Sequence, residues 1–175
     1  MGGGRRGGRE SYARTRDGGE EAYQKDHSRQ KMLQQEKPKV FTSFSMNDEN
    51  QVNLWRQQIK DSDKLDIKDT SLKEPFDEKW KTQTREIIKD SDVMIVFIGE
   101  DTSGREAVKW EIETAKEEGV PVRGVRIYSD KNHKVPESMK EDKDKVGKWD
   151  LDEIQDDVDK MKKERKENEE NGDNS

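Results

Sequence analysis

Seven residues, Val93-Met-Ile-Val-Phe-Ile-Gly99, constrain this chain more than any other stretch. A run with no polar position cannot be a half-exposed strand, whose two faces alternate. It must be covered on both faces, as strands of parallel sheets are. Its surroundings fit that requirement. Lys39-Val-Phe-Thr-Ser-Phe-Ser45 is strand-like and ends in small hydroxyl residues. Arg105 to Gly119 has helical spacing and ends in a C-cap glycine, and Val120 to Tyr128 is strand-like again. Strands alternating with helices predict a parallel sheet between two helical layers. Ligands of such sheets bind beyond the carboxyl ends of the strands. The loops after Ser45 and Gly99, and the helix that carries Glu111, are therefore the places to look for function.

The remainder of the chain is unusually polar. Of 175 residues, 26% are hydrophobic and 43% charged, against an ordinary apolar share of ~45–50%. One core cannot take up all of it, so a single domain with solvated ends is expected. There is no cysteine, which excludes disulfides and thiolate chemistry. With His27 and His133 as the whole histidine complement, a histidine zinc site is not expected. No stretch suits a membrane span and the amino-terminal arginines precede no apolar segment, so a cytoplasmic location is expected. The net charge of −6 argues against a nucleic-acid-binding surface.

Three segments follow. Residues 1–36 form a Gly/Arg-rich tail without periodicity, expected to be disordered. Met1 to Lys37 carries nine basic and six acidic residues, a balance of +3. Residues 37–165 form the domain, and 166–175 an acidic tail expected to be disordered. Within the domain, helices are predicted over 48–61, 77–89, 104–118 and 149–165. Leu65 to Asp69 reads as an edge strand. Residues 130–148 read as a polar loop, and no convincing fifth strand stands out.

Glu111 is the acid that packing does not require. On a helical wheel with about 100° per residue, Val108, Ile112 and Ala115 form the buried stripe. Glu106, Lys109, Glu113, Lys116 and Glu117 lie on the solvent side, whereas Glu111 lies on the shoulder of the stripe. A carboxylate there is desolvated and tends toward a raised pKa, as functional acids do; an ion-paired surface glutamate is the alternative. The loop Ser43-Phe-Ser-Met-Asn-Asp48 suits a phosphate or ribose at a helix start, or ordinary capping by Asn47 or Asp48. The loop Asp101-Thr-Ser-Gly104, with Arg105 beside it, has the same two readings. Trp110 lies away from the core stripe, as a contact residue or under the last helix. No P-loop, GxGxxG or nucleophile elbow is present.

Together these segments resemble the TIR-like domains of prokaryotic Thoeris defence proteins. The resemblance covers about Lys39 to Tyr128. It rests on Val40-Phe-Thr-Ser-Phe-Ser45, on Asp69-Thr-Ser-Leu72, on Val96-Phe-Ile-Gly99 followed by Thr102 and Arg105, and above all on Val108-Lys-Trp-Glu-Ile-Glu-Thr-Ala115. It implies a flavodoxin-like, three-layer α/β sandwich with a mainly parallel four- to five-stranded sheet in the order 2-1-3-4(-5). It implies NAD as a substrate, with no resident cofactor and no metal, cleaved or cyclised into a nucleotide signal in antiviral defence. Glu111 occupies the catalytic position. Ser43, Phe44, Ser45, Asp48, Asp69, Thr102 and Arg105 are the expected substrate-binding residues, and Trp110 an expected interface residue. Active members commonly carry a tryptophan four residues before the glutamate, where this chain has Ala107. The alternative is a non-catalytic signalling module that self-associates. A homo-oligomer and a downstream effector protein are the expected partners.

Overall fold

The computed structural model describes residues 24–25, 36–68, 77–140 and 146–172. The chain divides into two units, Met1–Glu36 and Lys37–Ser175, and the fold below is that of the second. Its described residues hold five strands: β1 Lys39–Ser43, β2 Asp66–Lys68, β3 Val93–Ile98, β4 Val122–Arg126 and β5 Val146–Lys148. All pair in parallel, in the order β2-β1-β3-β4-β5. The helices are α1 Glu49–Ser62, α2 Glu78–Lys89, α3 Glu106–Glu117 and α4 Leu151–Gly172. This is the parallel sheet between helical layers expected from the alternation, and the flavodoxin-like sandwich that the resemblance implies, with the apolar run as its middle strand.

Every residue of β3 is buried, and its alternation divides the core in two. Val93, Ile95 and Phe97 pack with Val40, Val52, Trp55, Ile59, Ile154 and Val158, under α1 and α4. Met94, Val96 and Ile98 pack with Phe41, Ile88, Val108, Ile112 and Ala115, under α2 and α3. Trp55 meets the Phe97 ring edge-on at 5.0 Å, a favourable aromatic geometry. Local signals set the helix ends. The Asp77 side chain caps α2 by accepting from the Trp80 amide at 2.8 Å. Gly119, at φ 68°, supplies the left-handed residue that turns the chain from α3 into β4.

The carboxyl-terminal third departs from expectation. The loop predicted over 130–148 ends in β5, an edge strand too short and too polar to show a period. Within that loop Met139 is fully buried against the α3 face. Gly147 of β5 is confined, because a Cβ there would stand 2.7 Å from Glu153 Oε1 and clash with the Arg123 guanidinium. Arg123 is itself 1% exposed, on β4, and donates from Nε to Asp157 and from Nη2 to Glu153 at 3.2 Å. A buried arginine needs such partners, and here they fasten α4 to the sheet. The expected disordered tail over 166–175 is corrected as far as Gly172, where α4 ends. Lys163–Glu167 and Arg165–Glu169 pairs at i,i+4 support the extension. Arg165 also donates to the Ser91 carbonyl, and Lys162 pairs with Asp92 at 3.4 Å. No helix among the described residues is long and apolar enough to cross a membrane.

Candidate functional site

In a sheet ordered 2-1-3-4-5 the chain leaves β1 toward one edge and β3 toward the other, so a crevice opens between their carboxyl ends. Ser43 is the last residue of β1 and pairs in register with Val96. Its side chain points to the α3 face, opposite Thr42, which meets Arg56 of α1. Glu111 lies in the second turn of α3, 8% exposed, and accepts a hydrogen bond from Ser43 Oγ at Oε2. The wheel thus placed Glu111 correctly: Val108, Ile112 and Ala115 are buried, while Lys109, Glu113 and Lys116 are exposed. Burial pushes the Glu111 carboxyl up to about 8, and the Ser43 hydrogen bond pulls weakly the other way. At neutral pH the group is mostly protonated, held ready as a proton donor or as a latent carboxylate.

The two loops meet across the crevice. Arg105 Nε donates to Ser45 Oγ at 3.2 Å, and the Arg105 guanidinium lies 3.7 Å from Asp101. Asn47 donates from Nδ2 to Asp101 Oδ2. Neither Ser45 nor Asp48 makes a side-chain capping bond, so capping by Asp48 does not hold. Phe44 is half-buried, with the Arg56 guanidinium 5.2 Å above its ring. Thr102 does not fit the ligand role expected of it. Its hydroxyl accepts from the Gly99 amide at 2.9 Å and donates to the Phe97 carbonyl at 3.1 Å, closing the turn after β3. Its donor is used, and the residue is 1% exposed. Asp69, with the motif around it, lies outside the described residues.

Trp110 lies against α2. It is half-buried and packs on Trp80 of α2 at 5.3 Å, with Arg85 6.0 Å from its ring. The wheel showed correctly that Trp110 avoids the sheet; the neighbouring helix covers it, where an outward contact residue was expected.

A second acid stands on the α1 side of the same rim. Asp48 is 6% exposed, and its carboxylate lies flat against Gly99. A Cβ at Gly99 would fall 2.6 Å from Asp48 Cγ and overlap its oxygens, so only glycine permits this approach. Burial chiefly, and then the charges of Asp101 and Glu100, push the Asp48 carboxyl up, while His133 and Arg105 pull it down. One turn along α1, Gln51 Nε2 donates to the Tyr128 hydroxyl at 2.9 Å, and the His133 ring meets the Tyr128 ring at 5.8 Å. Sequence reasoning missed Gln51, Tyr128 and His133. The one signal available was an acid and an amide three residues apart in the first turn of a helix that follows a strand. No group of three acidic or histidine side chains suited to a metal occurs among the described residues.

Comparison with curated proteins gives no match. The family model described as "Thoeris protein ThsB, TIR-like domain" matches residues 41–132. That stretch is more than half of the chain and runs from β1 through the loop after β4. It contains Ser43, Asp48, Thr102, Arg105 and Glu111, and leaves His133, β5 and α4 outside. The match, the strand order and the rim that joins Ser43 to Glu111 agree with one another, and the chain belongs to the TIR-like domain family of the Thoeris protein ThsB.

Proposed function

We propose that this defence-related TIR-like domain breaks the nicotinamide–ribose bond of NAD and releases a nucleotide signal to a downstream effector. The observation that carries the reading is Glu111: a buried carboxyl on α3, at the carboxyl rim of the sheet, hydrogen-bonded to Ser43. Its carboxyl, pushed up to about 8, has the perturbed character of catalytic acids. The chemistry asks little more of the protein. The bond from the ribose anomeric carbon to the ring nitrogen breaks heterolytically, and its electron pair leaves with neutral nicotinamide. The sugar becomes oxocarbenium-like, a cation that the Glu111 carboxylate stabilises at close range. Water, or a hydroxyl of the same nucleotide, then adds to the anomeric carbon and gives up a proton. Ser43 orients the carboxylate, while Ser45 and Arg105 offer a hydroxyl and a cation to the sugar and phosphates. NAD is substrate here, and the scheme calls on no further cofactor. The test is incubation of the purified protein with NAD and measurement of nicotinamide. Release by the wild type and none by Glu111→Gln supports the reading, whereas equal release by both ends it.

A second reading is a non-catalytic module that acts by self-association. Its support is that Met46 and Leu54, beside and within the first helix, are the large apolar side chains left exposed among the described residues, at 56% and 55%. Sedimentation of wild type and Met46→Ser at matched concentrations tests it. A monomer in both cases counts against it.

A further inference from the structure

The end of β1 is pinned on both of its faces, residue by residue. Thr42 and Phe44 turn to Arg56 of α1, whose guanidinium donates to the Thr42 hydroxyl at 2.8 Å and stands 5.2 Å over the Phe44 ring. Ser43 and Ser45 turn the other way, as alternation in an extended chain requires, and both meet α3. Ser43 donates to Glu111 in the second turn, and Ser45 accepts from Arg105 at the helix start at 3.2 Å. The two serine bonds stitch β1 to α3 along the crevice in which a ligand of this sheet would lie. A further pair crosses between the loops. Asn47 donates to Asp101, which also faces the Arg105 guanidinium at 3.7 Å.

The inside and the outside of this closure differ. Ser43 and Ser45 are each 1% exposed and Glu111 8%, so the pair beneath is shielded as the loops stand. The contacts that shut it lie in solvent. The side chains of Arg105 and Asp101 are 47% and 49% exposed, where a charged pair contributes little. The two loops also differ from each other. The β3–α3 turn is braced from within by the buried Thr102 hydroxyl, which bonds Gly99 and Phe97. The β1–α1 loop is one turn of 3-10 helix, Met46–Asp48, closed by the Asp48 amide on the Ser45 carbonyl at 2.8 Å. Single 3-10 turns hold by poorly aligned bonds, and local openings run through segments whose hydrogen bonds face solvent.

We propose that the Ser45–Arg105 and Asn47–Asp101 contacts are a latch that keeps the Ser43–Glu111 crevice shut in the resting protein, and that residues 45–48 swing away from the braced β3–α3 turn to open it. Phe44, held by Arg56, marks where the moving part begins. The latch is an autoinhibitory contact, because it occupies Ser45 and Arg105 with each other. It rests on the proposed function only in taking Glu111 as the working residue, and not on NAD as the substrate.

The chain has no cysteine, so a single introduced thiol reports on its own place. Ser43→Cys puts the reporter beneath the latch, and iodoacetamide, small and neutral, measures how often it is uncovered. In the folded protein it should label at least ~10-fold more slowly than in the urea-unfolded chain, because labelling waits for a local opening. Adding Asn47→Ala, which changes no charge, should speed labelling severalfold. Adding Asn47→Ala and Arg105→Met together should speed it about tenfold or more, since the loss of each hydrogen bond shifts the opening equilibrium severalfold. Ala115→Cys, in the core on the same helix, should label no faster when the latch is removed, which separates a local opening from unfolding. The latch is overturned if the Ser43→Cys thiol labels as fast folded as unfolded, or if both latch variants leave its rate unchanged. It is overturned too if Ala115→Cys speeds up as much. If Ser43→Cys does not fold, amide hydrogen exchange over residues 43–48 decides: faster exchange in Asn47→Ala than in wild type supports the latch, and equal exchange overturns it. Nicotinamide release is a separate readout. Where the wild type releases nicotinamide, Asn47→Ala should release it severalfold faster, and an equal rate overturns the inhibition. Labelling as expected with no release from the wild type keeps the latch and removes the catalytic reading; release with labelling unmoved does the reverse.

Discussion

Glu111 and Asp48 are two buried acids on one rim, and burial pushes the carboxyls of both upward. What buries them differs. Glu111 is closed in by the apolar packing of α3 on the sheet, and its hydrogen-bond partner is a neutral hydroxyl. Asp48 is closed in by two loops and by Gly99, among charges of both signs: Asp101 and Glu100 on one side, His133 and Arg105 on the other. An acid held in an apolar wall is tuned by desolvation, which salt hardly touches. An acid held among loop charges is tuned by partners that salt screens and that loop movement rearranges. The first suits a fixed chemical role and the second a ligand contact.

The comparison breaks most visibly at Glu111. Glu111→Gln is expected to lower nicotinamide release by ~100-fold or more, the usual cost of losing one preorganised electrostatic group. Glu113→Gln, on the solvent face of the same helix, should leave release unchanged. A continuous nicotinamide assay over both variants and wild type decides this. The carboxylate is the form that stabilises a cation, so wild-type kcat/KM should also climb with pH toward a plateau above about 8.

The raised carboxyl also acts on stability. In the folded protein it titrates near 8 and in the unfolded chain near 4.5. Between those values the folded state holds a proton that the unfolded state has released. Stability from this group is therefore complete below about 4.5 and is lost as pH rises toward 8. Glu111→Gln escapes that loss. Relative to wild type, the variant should gain a few kcal/mol on going from pH 4 to pH 9, since each tenfold difference in proton affinity between the folded and unfolded states is worth ~1.4 kcal/mol. Urea unfolding at several pH values measures it, and parallel curves for the two proteins would show that Glu111 is not desolvated.

Trp110→Ala comes next in size. Half-buried on Trp80, the indole should contribute ~2 kcal/mol, less than a fully buried tryptophan. Thermal melting reports the loss, and a variant as stable as wild type would restore Trp110 to the surface role that its place on the wheel suggests. The smallest effect is at Ser43. Its hydrogen bond holds the Glu111 carboxyl down slightly, so Ser43→Ala should move the alkaline rise of kcat/KM to higher pH. No movement would mean that the serine does not touch the carboxyl in solution.

The sequence by itself determined the parallel sheet and the face on which Glu111 lies, while the strand order was what the family resemblance implied. A wholly apolar strand, helices with a single stripe and hydroxyl-ended loops are local patterns, and local patterns survive in one dimension. It also placed Ser43, Ser45 and Arg105 at the rim, because strand ends can be read directly. Only the tertiary structure decided what each side chain meets there. The wheel turned Trp110 away from the sheet and could not know that α2 stands beside it. Thr102 looked free until its hydroxyl met the amide of Gly99 and the carbonyl of Phe97. β5 carries no period because three residues at a sheet edge are too few to show one, and it is held by pairing with β4. Gln51 meets the Tyr128 hydroxyl although 77 positions separate them in the chain, and His133 stands against the same ring. Periodicity assigns a residue to a face; which residue of another element lies across from it depends on how those elements pack.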